Sequence, residues 1–220
     1  MPLQRETVVR AALDLLDEVG LEGLTMRRLA AYLDIQNPSL YWHFTNKQEL
    51  LNCMAEIIIA DVFAELHPPE PDQDWADWLA GFARLLRRMS LAHRDGARTL
   101  AEADLSLSDF SVGIELALDV LQNAGFEGRK AAAGVIGVLH YVLGSAFEAQ
   151  ADPSSLEAKG SDNNTNARWP SVDSERFPRL AALHAADALP LVAADVWFEE
   201  GLTVILDGLR ADLAKELTNR

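Results

Sequence analysis

The chain is poor in cysteine and poor in positive charge. Its single cysteine, Cys53, has no second thiol for a disulfide and no histidine at metal-ligand spacing, so it reads as a small packing residue of a reducing compartment. Lys and Arg number 19 against 34 Asp and Glu, and the resulting net charge of −15 opposes simple electrostatic attraction to nucleic acid. Long apolar runs are also missing. Acidic residues punctuate the apolar stretches before the roughly 18 consecutive positions that a membrane span needs. The opening Met-Pro-Leu-Gln-Arg-Glu carries no signal core, so no membrane partner and a cytoplasmic location are expected. Chemistry motifs are equally scarce. There is no Gly-rich phosphate loop, no His-Glu-x-x-His, no cysteine pair for zinc and no Gly-x-Ser-x-Gly, so neither an enzyme nor a cofactor or metal site is expected.

What is present is helical periodicity. Hydrophobic residues make up 49% of the chain. Val8, Val9, Ala12, Leu15, Leu16 and Val19 recur at the spacing of one helix face and stop at Gly20. Thr25 stands at an N-cap position before Leu29, Ala30 and Leu33, and a turn follows at Asp34. Pro38 suits the first turn of a third short helix, so two short helices joined by a tight turn predict a helix-turn-helix. Beyond Thr45-Asn46, a longer helix starts near Lys47 and buries Leu50, Leu51, Met54, Ile57, Ile58 and Val62. His67-Pro68-Pro69-Glu70-Pro71 is a break. Further helices are expected from Trp75 to Met89, about Ser106 to Asn123, about Arg129 to Gln150, and roughly Leu191 to Leu217. The polar stretch from Ala151 to about Pro178 predicts a mobile loop.

The expected fold is therefore all-α: a three-helix helix-turn-helix domain over residues 1–46, followed by a larger helical domain over residues 47–220. Charge divides in the same way. Residues 1–50 carry five basic and seven acidic side chains, a net of −2, and the other 170 residues carry −13.

Three stretches resemble the head of the tetracycline repressor (TetR) family: Ala11-Ala12-Leu13-Asp14-Leu15-Leu16, Gly23-Leu24-Thr25-Met26-Arg27-Arg28-Leu29-Ala30, and Pro38-Ser39-Leu40-Tyr41-Trp42-His43-Phe44 with Asn46-Lys47. Two more, His93-Arg94-Asp95-Gly96-Ala97-Arg98 and His140-Tyr141-Val142-Leu143-Gly144 followed by Glu148, are similar to the body of its tetracycline-sensing members. The resemblance implies a homodimeric repressor that binds a palindromic double-stranded operator and is released by a small-molecule effector. Asn37 has the amide groups to meet an adenine edge and Arg27 the fork to meet guanine. The family pattern assigns Tyr41, His43 and Lys47 to the sugar-phosphate backbone, with Ser39 serving either role. Trp42 is expected to pack the head against the linker helix instead.

In the body, the positions that hold a magnesium-chelated tetracycline in the family correspond to Phe63, Phe82, Leu86, Leu100 and Ala103, and only Glu148 keeps its type. Leu100 replaces the metal-binding histidine, so the usual magnesium-tetracycline response is not expected. The expected pocket is lined by Phe63, Phe82, Leu86, Leu100, Val112, Leu116, Leu139 and Phe147, with His67, His93, His140 and Glu148 as polar candidates. An apolar or aromatic effector follows, although the same aromatics also suit a plain core and each lone histidine a packed or solvated side chain. Gly134, Gly137, Gly144, Gly201 and Gly208 mark close helix contacts, and dimerisation is expected through the helix from Arg129 to Gln150 and the last helix. An interaction module without DNA binding is the rival that the acidic charge favours.

Overall fold

The computed structural model describes residues 4–105, 110–150, 173–185 and 194–218. These residues form ten α-helices and no strand: α1 (Arg5–Gly23), α2 (Met26–Tyr32), α3 (Asn37–Leu40), α4 (Lys47–Glu65), α5 (Trp75–Leu91), α6 (Gly96–Glu102), α7 (Ser111–Asn123), α8 (Gly128–Ala149), α9 (Pro178–Ala185) and α10 (Ala194–Thr218). Two compact units result, one of residues 1–150 with 202–220 and one of residues 151–201. The all-α expectation holds.

In the head, Val8, Leu16, Leu29, Leu40, Phe44, Leu50 and Met54 form one buried core drawn from α1, α2, α3, the turn after it and the first half of α4. Helices this short are marginal alone, so their ends carry much of the specification. Gly20 breaks α1 at φ 69 and ψ 172, a conformation open essentially to glycine only. The Thr25 side chain accepts the Arg28 amide at 3.2 Å and the Asn46 side chain accepts the Glu49 amide at 2.9 Å. Glu49 in turn accepts from the Thr45 amide and hydroxyl, at 2.7 and 2.8 Å, so the entry to α4 is tied in both directions.

The body is built on α5, α7 and α8. Trp78 of α5 stacks on Phe82 with ring centroids 5.8 Å apart, and Trp75 meets Phe126 edge-on at 5.0 Å. Gly125, at φ 110, ends α7 while the Phe126 amide reaches back to Leu121 O at 3.1 Å, a left-handed C-terminal cap. A Cβ on Gly134 would lie 3.2 Å from Leu209, so this glycine sets the approach of α8 to the second half of α10. Gly137, Gly144 and Gly208 are different: nothing lies within 4 Å of a Cβ there.

Several boundaries differ from expectation. The short helices α6 and α9 fall on stretches with too few turns for periodicity to show. Pro178 opens α9, at the end expected for the polar stretch. The part of that stretch up to residue 172, the expected helix start at residues 106–109 and that at residues 191–193 lie outside the described residues. Residues Gly128–Ala149 are, by length and composition, apolar enough to cross a membrane, and one third of the relevant window is buried.

Candidate nucleic-acid interface and ligand cleft

The surface around α3 is set by which positions the core consumes. Leu40 and Phe44 point inward and are buried, which turns their neighbours outward. Tyr41 is 50% exposed and Trp42 88% exposed. Trp42 therefore does not pack the head against α4, and that expectation is corrected. The spacing of Leu40 and Phe44 already contained the signal, because Tyr41 and Trp42, one and two positions past the core contact Leu40, are rotated away from it. Ser39 and His43 are partly buried, the His43 ring lying 6.2 Å from that of Phe44.

Charge on the head is largely consumed within it. Arg5 pairs with Glu49 at 2.7 Å, Arg10 with Glu6 at 3.0 Å, and Arg28 donates to Gly23 O at 3.0 Å. Lys47, expected to meet a phosphate, donates to Leu21 O at 3.0 Å. It must leave that carbonyl to reach an anion. Arg27 is exposed and, among the described cations of the head, is the one with no hydrogen bond or ion pair. At Asn37 the Oδ1 atom is buried with no hydrogen-bond partner. The two-pronged adenine contact thus requires the carboxamide to turn outward, and the unsatisfied oxygen favours that turn.

Glu49 sits at the centre of the head's polar network. Hydrogen bonds from the Thr45 amide and hydroxyl, with the Arg5 guanidinium beyond them, hold its carboxyl below the usual carboxylate range. Arg5 also donates to Cys53 Sγ at 3.1 Å, and burial pushes the Cys53 thiol up, so Cys53 is a protonated packing group.

In the body, Ile59, Val62 and Phe63 of α4, Phe82 and Leu86 of α5, Phe110 and Ile114 at α7, and Leu139 of α8 enclose a half-open cleft of about 270 Å³ counting its mouth. Phe63, Phe82, Leu86 and Leu139 were expected there. Ile59, Val62, Phe110 and Ile114 were missed, although the three- and four-residue spacings 59–62–63 and 110–114 place them on common faces. A Cβ on Gly113 would fall 2.4 Å from Phe63 Cε1, so Gly113 is where the edge of the Phe63 ring meets α7.

The other expected lining residues lie elsewhere. Val112 is 65% exposed because α7 turns Gly113 and Ala117 inward, and Phe147 is 51% exposed on the same outward face of α8 as Ile136. Leu100 is buried in the core shared with α1 and α4, and Leu116 is partly buried without lining the cleft. His67 is exposed and offers its carbonyl to Trp78 Nε1 at 2.9 Å; His140 and Glu148 are exposed too. His93 bonds Asp17 through Nδ1 at 2.9 Å. The lining is thus wholly apolar. It offers no nitrogen or oxygen ligand to a chelated magnesium, and no group of three His, Cys, Asp or Glu able to hold a metal exists among the described residues.

A capped three-helix head with an outward aromatic and cationic surface, joined by one shared helix to a helical body with an apolar cleft, defines a helix-turn-helix regulator with a ligand-binding domain. Residues 8–54 match the model of bacterial regulatory proteins of the tetR family, and residues 67–213 match the tetracyclin repressor-like C-terminal domain. The class A tetracycline repressor protein of Escherichia coli, from transposon 1721, is 39% identical over 208 residues, 94% of this chain and 90% of that one. Among solved structures, a possible TetR family transcriptional regulator from Streptomyces coelicolor A3(2) is 36% identical with a TM-score of 0.80, covering 94% of this chain and 99% of that one. ActR from Streptomyces coelicolor, solved in complex with actinorhodin, is 33% identical with a TM-score of 0.78 over 97% of this chain and 99% of that one. The chain belongs to the TetR family. It is a ligand-responsive transcriptional repressor of that family and not an enzyme.

Proposed function

We propose that this chain represses as a homodimer on a palindromic operator, read by Arg27, Asn37, Ser39, Tyr41, Trp42, His43 and Lys47, and that a small apolar or aromatic effector entering the body cleft releases it. The observation that carries this reading is the double duty of α4. Its first half supplies Leu50, Leu51 and Met54 to the head core, and its second half supplies Ile59, Val62 and Phe63 to the cleft. A ligand that moves Phe63 moves a helix on which the head is built, which couples the two sites. The enclosed space that a water-sized sphere can occupy is only about 10 Å³, room for little more than one water, so occupancy requires the walls to part. Its apolar lining selects an effector that needs no metal.

The dimer uses α8 and the second half of α10. Ile136, Gly137, Gly144 and Phe147 on α8, with Val204 and Gly208 on α10, present exposed apolar or side-chain-free surface in the single chain. Two heads on one two-fold axis raise the effective concentration of the second contact, which offsets the sparse positive charge of each.

The test is a gel shift of the purified chain on the intergenic DNA beside its own gene, with Asn37→Ala, Tyr41→Ala and Arg27→Ala alongside. Binding by the parent that each variant weakens is expected, and Arg27→Ala is expected to lower the slope of log affinity against log salt by about 1 if it meets a phosphate, or to relax base preference if it meets guanine. Actinorhodin and (S)-DNPA, each held by a solved relative, are the first compounds to add, and minocycline, a tetracycline held by another, is expected to leave the shift unchanged. Variants indistinguishable from the parent would refute this assignment of the head surface. Absence of any shift at low salt, with the dimer confirmed by light scattering, would transfer weight to an interaction module that does not bind DNA.

A further inference from the structure

Gln150, which ends α8, uses its whole carboxamide on one place. Its Oε1 accepts from the Ala97 amide at 2.9 Å, and its Nε2 donates to Ser90 O at 3.3 Å and His93 O at 2.6 Å. Those three partners are the last turn of α5, the connection after it and the first turn of α6, so one side chain clasps the α5–α6 elbow to the end of α8. The opposite side of the same elbow holds the head. Asp17 of α1 accepts from the Arg94 amide at 2.8 Å and meets His93 Nδ1 at 2.9 Å. Asp95 accepts from the Leu21 amide at 2.8 Å, the first amide after the Gly20 break, and Arg98 pairs with Glu22 at 2.6 Å.

The cleft lies between the same helices that the clasp joins. Leu86 of α5 is one turn before Ser90, and Leu139 of α8 is about three turns before Gln150. An occupant that spreads α5 from α8 pulls on the carboxamide, and the Nε2 to Ser90 bond, already 3.3 Å long, has the least reach to spare. We propose that Gln150 is a positioning residue that passes the spacing of α5 and α8 at the cleft to the head, through the elbow and its bonds to Asp17 and Leu21. It touches neither DNA nor effector. The proposal rests on the reading of the cleft as the effector site.

The test uses the full chain and a built-in wedge, Leu139→Trp, with amide hydrogen exchange as readout. The wedge is expected to speed exchange of the Leu21 and Arg94 amides about tenfold or more, the scale of losing a hydrogen bond to a carboxylate. Gln150→Met keeps the length of the side chain and removes its hydrogen bonds. It is expected to speed exchange at Ala97 while leaving Leu21 like the parent, and the wedge is expected to do nothing further to Leu21 in that background, the non-additivity that marks coupling. Leu86→Trp serves as a second wedge should Leu139→Trp fail to fold. A wedge effect on Leu21 that persists in the Gln150→Met background overturns the proposal, and so does a wedge without effect on Leu21 in the parent. The cleft reading fails differently: no compound quenches Trp78, which stacks on the cleft residue Phe82, whatever the wedge does.

Discussion

The head surface and the body's cleft are both built on apolar cores but differ in how they use polar groups. In the head, Thr25, Asn46, Glu49 and Arg28 bond backbone atoms within five residues, and Lys47 reaches from α4 to the Leu21 carbonyl at the end of α1. Among the described residues, the body cleft has no polar lining. The difference follows from what each region must hold. A helix of four residues such as α3 has no stability of its own and needs its neighbours capped to keep Tyr41 and Trp42 outward. An apolar cleft needs only volume and non-directional contact, so its composition can change while the fold persists.

The contrast is broken most severely by removing a ring from each region. Phe44 is 1% exposed in the single core on which α1, α2, α3 and α4 converge, so Phe44→Ala is expected to cost about 3–5 kcal/mol and to abolish DNA binding. Phe63 is only partly buried at the mouth of a cleft that opens to solvent, so Phe63→Ala is expected to cost less than half as much and to leave the head folded. Urea midpoints of the two variants decide the matter. Equal losses would mean that the cleft wall is as structural as the head core, and that its aromatics are core and not a site.

Much of the head was legible because short-range rules govern it. Gly20, Thr25, Asp34 and Pro38 punctuate the chain where the helices start and stop, and the core positions follow the helical period. Trp42 was misplaced because an aromatic beside buried neighbours was taken to share their burial, whereas direction on a short helix depends on which positions the core has already used. The body was legible only in outline. Val112 and Phe147 lie on apolar stripes as Phe63 and Leu139 do, and a stripe does not declare whether it faces a cleft, a core or a second subunit. That choice is made by tertiary contacts such as Gly113 against Phe63, which join positions 50 residues apart. The clasp by Gln150 was invisible for the same reason.

Glycines sharpen the comparison at the next level of effect. At Gly20 the positive φ and a Cβ only 3.0 Å from Asp95 Oδ2 both penalise a side chain, so Gly20→Ala is expected to cost about 1–3 kcal/mol. It also crowds the bond between Asp95 and the Leu21 amide, the place where head and elbow meet. At Gly137 the helix is regular and the surface open, so Gly137→Ala gains up to about 1 kcal/mol of helix propensity in a single chain. If α8 forms the dimer face, the added methyl instead weakens self-association. Thermal unfolding followed over a range of protein concentrations separates the outcomes, because only a dimer-linked loss depends on concentration. A gain independent of concentration would remove Gly137 from the interface.

The gentlest test is acid. The Glu49 carboxyl is held below its ordinary range by the Thr45 amide and hydroxyl and by Arg5, so its folded pKa is lower than its unfolded one. The sign follows from linkage: the ionised form stabilises the head above the unfolded value, near 4.3 for a free glutamate, and that contribution disappears as pH falls through the lower folded value. Glu49→Gln keeps an acceptor for the Thr45 amide but loses the charge that favours Arg5 and the start of α4. The variant should therefore be less stable than the parent at neutral pH, with the gap closing as the pH drops below about 4. Urea midpoints measured at neutral pH and near pH 3 report this directly. A gap that stays constant with pH would show that Glu49 acts through its geometry alone, and that the head depends on capping hydrogen bonds without drawing on charge.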